Sequence, residues 1–144
     1  MKVGVNMKTG VNIINENYTK RLVYTAILIA LSVVGAFINI PGTSIAFDSM
    51  PGFFAALFLG PGIGALVAGI GHLITAALRG FYLTLPLHII ISFLMAICAY
   101  IFAWTYRNIN GIIASITAVI INGPVSLIII TLSSFLIGLE NGGW

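Results

Sequence analysis

Four side chains able to do ionic or acid–base chemistry stand inside otherwise apolar sequence: Asp48, His72, Arg79 and His88. Asp48 lies in "INIPGTSIAFDSMPGFF", Ile38 to Phe54, between two Pro-Gly pairs. It is one of only three acidic residues in the chain. A charge at membrane depth costs a few kcal/mol, so such groups are usually paired or functional. His72, Thr75 and Arg79 follow Ala65 and Ala68 at three- and four-residue steps, which places all five on one face of a helix. His72 with Thr75 is the best base–nucleophile pair on offer, but no acid adjoins them in sequence to orient the imidazole. An intramembrane enzyme is therefore a poor fit. His72 and His88 have no metal-ligand spacing, and no phosphate-binding loop, Gly-x-Ser-x-Gly or His-Glu-x-x-His motif occurs. No cofactor and no metal are expected.

Composition sets the environment of these groups. Hydrophobic residues make up 60% of the 144 and charged residues 6%, whereas soluble domains are about 25% charged. The chain is read as an integral membrane protein of all-α class. The single cysteine, Cys98, lies in an apolar run and reads as a small packing residue. A net charge of +3 without a basic, aromatic-laced patch speaks against nucleic acid as a partner.

Uncharged runs delimit the elements: Leu22 to Phe47, Ser49 to Leu78, Gly80 to Tyr106, and Asn108 to Leu139. Each exceeds the roughly 20 residues needed to span. The expected division is a polar, cytoplasmic amino-terminal tail over 1–21, a helical membrane domain over 22–139, and a polar end over 140–144. "GPGIG", Gly60 to Gly64, interrupts the second run and predicts a short helix from about Gly52 to Leu59, then a longer one from Gly62 to Leu78. "NGP", Asn122 to Pro124, predicts a kink in the last run.

Two topologies follow. If "GPGIG" is a reversal, the bundle has about five helices. Lys2, Lys8, Lys20, Arg21 and Arg107 then lie inside, and Arg79 lies outside with Asp48 and His88. If it is a kink, there are four helices, and Asp48 and Arg79 face opposite leaflets. Both put five of the six basic residues inside, so charge does not decide. Small or polar stripes mark bundle-facing surfaces: Thr25, Ser32 and Asn39; His88, Ser92 and Ala99; Ser115, Asn122, Ser126 and Ser133. The structural alternative for the charged groups is an Asp48–Arg79 ion pair, or snorkelling of Arg79 to the interface. Phe47, Phe53, Phe54, Phe81 and Tyr82 read first as interface anchors, and one or two of them could stack on a planar ligand.

The succession Asp-Ser-x-Pro-Gly, Leu-Gly-Pro, Gly-His-Leu and Leu-Pro-x-His, from about Thr25 to Val125, resembles the S components of energy-coupling factor (ECF) transporters. The resemblance implies a six-helix membrane fold, of which this chain carries five before "SFLIGLENGGW". It implies a substrate-binding subunit, not an enzyme, that takes a vitamin or vitamin precursor near the extracellular face. It also implies a transmembrane T subunit and two ATPase subunits as partners. By position, Ala26 and Ala30 match the family's small-residue docking motif for the T subunit. The loop with Asp48 and the loop from Arg79 to His88 match those that cap the pocket. Within the family, the string "DSMPGFFAAL…GHLITA…LPLHIIIS" is most similar to the α-ribazole (cobalamin precursor) subgroup. The residues are compatible with that solute: a base could stack on Phe81 or Tyr82, a ribose diol could bond to Asp48, and His88 or Asn122 could meet heteroatoms, with His72 counted among the same substrate-binding residues. Pantothenate is the main competitor, with its carboxylate on Arg79. A small membrane scaffold without a ligand is the remaining reading.

Overall fold

The structure, a computed structural model, describes residues 7–38, 47–81 and 83–138. The expectations for Asn39, Tyr82 and the 140–144 end lie outside the described residues. All regular elements among the described residues are helical: α1 (Met7–Ala36), α2 (Met50–Phe58), α3 (Pro61–Leu78), α4 (Leu85–Asn108), α5 (Gly111–Ile120) and α6 (Ser126–Leu136). A π-helical segment, Ile121–Val125, joins α5 to α6, so Gly111–Leu136 is one rod. Four segments are long and apolar enough to cross a membrane: Tyr18–Ala36, Pro61–Leu78, Leu85–Asn108 and Gly111–Leu136. Helix α1 begins at Met7, well inside the segment expected as a polar tail, and ends at Ala36 rather than continuing towards Phe47. Polarity alone does not stop a helix, and no proline occurs before Pro41.

The reversal topology is the one found. Gly60 adopts φ 116°, a left-handed conformation that ends α2 without a Cβ clash. Its N–H and that of Leu59 both donate to the Ala55 carbonyl. Pro61 then opens α3 at its first position, where a missing N–H costs nothing. The two helices run antiparallel in close contact: Gly64 lies against Ala56, and Gly52 against Ala68. Those pairs could not meet in a continuous rod, since residues 52 and 68 would stand about 24 Å apart. The kink alternative, with its four helices, is thereby excluded. Small residues make the approach possible, because a Cβ on Gly52 would sit 2.7 Å from that of Ala68.

Helix α2, at nine residues, reaches about 13 Å and cannot span. Its terminal carbonyls have no intrahelical donors. Arg107 donates to the carbonyl of Leu57 at 2.9 Å, and Arg21 to that of Leu59 at 2.8 Å. A guanidinium also suits the negative end of a helix dipole. These bonds gather Arg21, Arg107 and the α2–α3 turn at one end of the bundle.

Small side chains fill the interior and large ones coat it. Ala56, Ala68, Ala99 and Ala103 form a buried cluster, with Phe53 and Met95 against it. Ile70, Phe93, Ile97 and Trp104 are exposed. This is the expected distribution where lipid is as apolar as leucine and packing holds helices together. The π segment falls where "NGP" predicted a break: Pro124 offers no N–H to the carbonyl four residues back. Ser126 returns its hydroxyl to the Ile121 carbonyl at 2.7 Å. This is the kind of side-chain repair that lets a proline persist at membrane depth.

Gly64→Leu will lower the unfolding free energy in detergent by about 1–3 kcal/mol through overpacking. Gly62→Ala, at a site with nothing within 4 Å, will leave the thermal midpoint unchanged in the same measurement.

Candidate functional site

The sequence-predicted groups converge at the end of the bundle opposite Arg21 and Arg107. Ser32, fully buried on α1, donates its hydroxyl to the main-chain carbonyl of Asp48. That grip fixes the residue just before α2 against α1. The antiparallel α2–α3 register then sets Asp48 beside His72. Oδ2 of Asp48 lies 3.5 Å from Nδ1 of His72, and each side chain is 14% exposed. The distance is that of an ion pair when the imidazole is protonated, and the direction does not make a hydrogen bond.

The row continues inward. Nε2 of His72 faces Nδ1 of His88 at 3.5 Å, the long limit of a hydrogen bond. The imidazoles tilt at 38° with centroids 5.6 Å apart. His88 is 1% exposed and meets the Phe81 ring at 5.7 Å and 59°. One turn below, Ser92 of α4 donates to the Gly69 carbonyl at 2.8 Å and ties α4 to α3. An acid, two imidazoles and a phenyl ring thus line one layer, with contributions from the α2 approach, α3 and α4.

Arg79 does not pair with Asp48. Its guanidinium donates to the carbonyl of Ala36, the last residue of α1. The reason is register. Ala36 is one turn beyond Ser32, as Arg79 is about two turns beyond His72, so Arg79 meets an orphan helix-end carbonyl above the acid's level. The expectation of an Asp48–Arg79 ion pair is corrected accordingly. Asp48, from a distant part of the chain, is the acid that comes beside His72, but it makes no hydrogen bond with the imidazole. No base–nucleophile pair results, since the second nitrogen of His72 faces His88 and Thr75 makes no hydrogen bond through its hydroxyl.

Asn122 is not brought to the row. It is exposed on the π segment and makes no side-chain hydrogen bond to Asp48, His72 or His88. Ala26 and Ala30 are exposed on the outer face of α1, where no described helix covers them. Among the described residues, no group of three or more His, Cys, Asp or Glu could hold a metal ion.

Sequence reasoning placed Ser32 on a packing stripe but missed its hold on Asp48. It also missed the α3–α4 turn, where Gly80, Phe81 and Thr84 take φ values of 79°, 50° and 105°. Positive φ is uncommon outside glycine, and for a β-branched residue such as Thr84 it is a strained conformation. Gly80 permits its own positive φ, but nothing in the residue types of Phe81 and Thr84 announces theirs.

The family model described as "ECF transporter, substrate-specific component" matches residues 20–142. The chain belongs to that family. It is therefore a multi-pass membrane protein and the substrate-binding component of an ECF transporter. Membership brings with it a small-molecule substrate and association with the T and ATPase subunits of the ECF module. No curated protein and no solved structure matches the chain.

In this ECF component, a double-mutant cycle between Asp48→Asn and His72→Gln will show a coupling of about 0.5–3 kcal/mol in thermal unfolding. The Asp48→Asn and Arg79→Gln cycle will be additive within about 0.5 kcal/mol.

Proposed function

We propose that this chain captures a vitamin or vitamin precursor at the Asp48–His72–His88 end of the bundle, with α-ribazole as the first candidate. The observation that carries the reading is the row itself: ionisable and aromatic groups from three elements meet at one end of an otherwise apolar bundle. Asp48 is suited to accept two hydrogen bonds from a ribose diol, and charge-assisted bonds are the strong ones. His72 and His88 offer nitrogens of either polarity to ring or sugar heteroatoms. Phe81 supplies an aromatic face for a benzimidazole, and Tyr82 is kept as a second candidate for that role. Arg79 guards the rim, and Asn122, exposed away from the row, has no part in this reading.

In this reading Lys20, Arg21 and Arg107 mark the cytoplasmic end, following the positive-inside rule. The amino-terminal segment over 1–21 is cytoplasmic, residues 22–139 form the membrane domain, and the row opens to the outside. Ala26 and Ala30 give α1 a flat exposed strip for close approach of a T-subunit helix. The chain catalyses nothing, and two ATPase subunits supply the energy.

Calorimetry on the purified protein in nanodiscs, with a panel of vitamins and precursors, tests the proposal. It will show about one-to-one binding of α-ribazole, and Asp48→Ala will weaken binding by about tenfold or more. Preferred binding of pantothenate, lost in Arg79→Ala, would replace the assigned solute. If no member of the panel binds, the ligand-free scaffold takes over.

A further inference from the structure

Two hydroxyls near the row make no hydrogen bond among the described residues. Thr75 is 6% exposed and Thr84 is half-buried, and neither Oγ1 has a hydrogen-bond partner although both atoms are buried. Elsewhere in the bundle such hydroxyls fold back on the preceding turn. Thr25 donates to the Arg21 carbonyl, Ser115 to Gly111 and Ser134 to Ile130, each at 2.7–2.9 Å. Thr75 occupies the same kind of helical position on α3, one turn from His72, and does not do this. Thr84 is the N-cap residue of α4, four residues before His88, yet its side chain makes no capping bond. The N-cap Asn110 of α5, by contrast, accepts from the Ile113 N–H at 2.8 Å. Thr84 also sits at φ 105°, a conformation that is strained outside glycine. An unsatisfied buried hydroxyl adds the cost of its lost hydration. Such costs persist at ligand clamps, where strain and unmet donors are features of the site.

Charge points the same way. Asp48 is the formal anion in this layer, and its carboxylate faces His72. Arg79 is engaged by the α1 carbonyl one level above. An anionic solute would meet a carboxylate and would have to draw Arg79 from Ala36.

Building on the proposed solute site, we infer that Thr75 and Thr84 are ligand-contacting residues, and that with Asp48 they make the site select an uncharged, hydroxylated ring compound over its anionic counterpart. The hydroxyls supply donor–acceptor pairs on the α3 and α4 sides of the row. The carboxylate takes the ligand's donors and repels a phosphate or carboxylate.

The test uses the full chain in nanodiscs with matched probes: α-ribazole against its 5′-phosphate, and pantothenol against pantothenate. Within whichever pair binds, the neutral member will bind at least about tenfold more tightly. Thr75→Val and Thr84→Val will each weaken it about 3- to 10-fold, as expected for one lost hydrogen bond, and Thr75→Ser and Thr84→Ser will retain affinity. The valine variants will keep or raise the ligand-free thermal midpoint, because they remove a buried hydroxyl that the protein leaves unmatched. A lower ligand-free midpoint in the valine variants would show hydroxyls satisfied inside the protein and overturn the inference. Equal affinity of the valine variants, or tighter binding of the anionic member, would also overturn it while leaving the solute site standing. Absence of binding by all four probes and by a wider vitamin panel would instead remove the solute site.

Discussion

Everything at the Asp48–His72–His88 end of this bundle depends on the chain turning back at Gly60–Pro61. Glycine supplies the left-handed turn, proline opens the next helix, and Gly52, Ala56, Gly64 and Ala68 let two backbones approach almost to contact. The register that results brings residue 48 alongside residue 72. Without it the carboxylate and the imidazoles would lie on opposite leaflets. Helix association in lipid lacks a hydrophobic drive, so the closeness of that small-residue contact is what stabilises the arrangement.

Arginines resolve the difficulty that the reversal creates. A helix that stops partway through a bilayer leaves carbonyls without donors, and each would cost several kcal/mol in hydrocarbon. Arg21 and Arg107 reach across from α1 and α4 to the end of α2, and Arg79 reaches from α3 to the end of α1. The guanidiniums thus act between helices as caps, a role in which five donors on a rigid fork outperform an ammonium. The same bonds fasten α1, α2, α3 and α4 to one another at both ends.

Much of this was legible in the sequence. The break at "GPGIG", the short second helix and the deviation at "NGP" all follow from proline and glycine chemistry that acts over a few residues. Once the reversal was assumed, Asp48, His88 and Arg79 were expected at one end with His72 two turns below Arg79; the contact of His72 with Asp48 and His88 was not foreseen. What sequence did not yield were choices of partner. Asp48 and Arg79 carry opposite charges and lie at similar depth, yet a difference of one helical turn sends the arginine to Ala36 and leaves the acid to His72. Charge complementarity does not encode that turn; the axial offset of α1 against α3 does. Asn122 belonged to a sound polar stripe, but only Ser126 of that stripe is buried; Ser115 and Asn122 are exposed, and Asn122 does not reach the row. The unmatched hydroxyls of Thr75 and Thr84 were hidden for a similar reason, because threonine in a helix usually answers to its own backbone.

Ser32 holds Asp48 by the main chain and not by the carboxylate. On the proposed solute site, anchoring and recognition are therefore carried by different atoms of one residue. A replacement at this position alters what the mouth prefers while the tether that places it persists. Such separation lets a lineage exchange one cargo for another by point substitution, without rebuilding the frame that presents it.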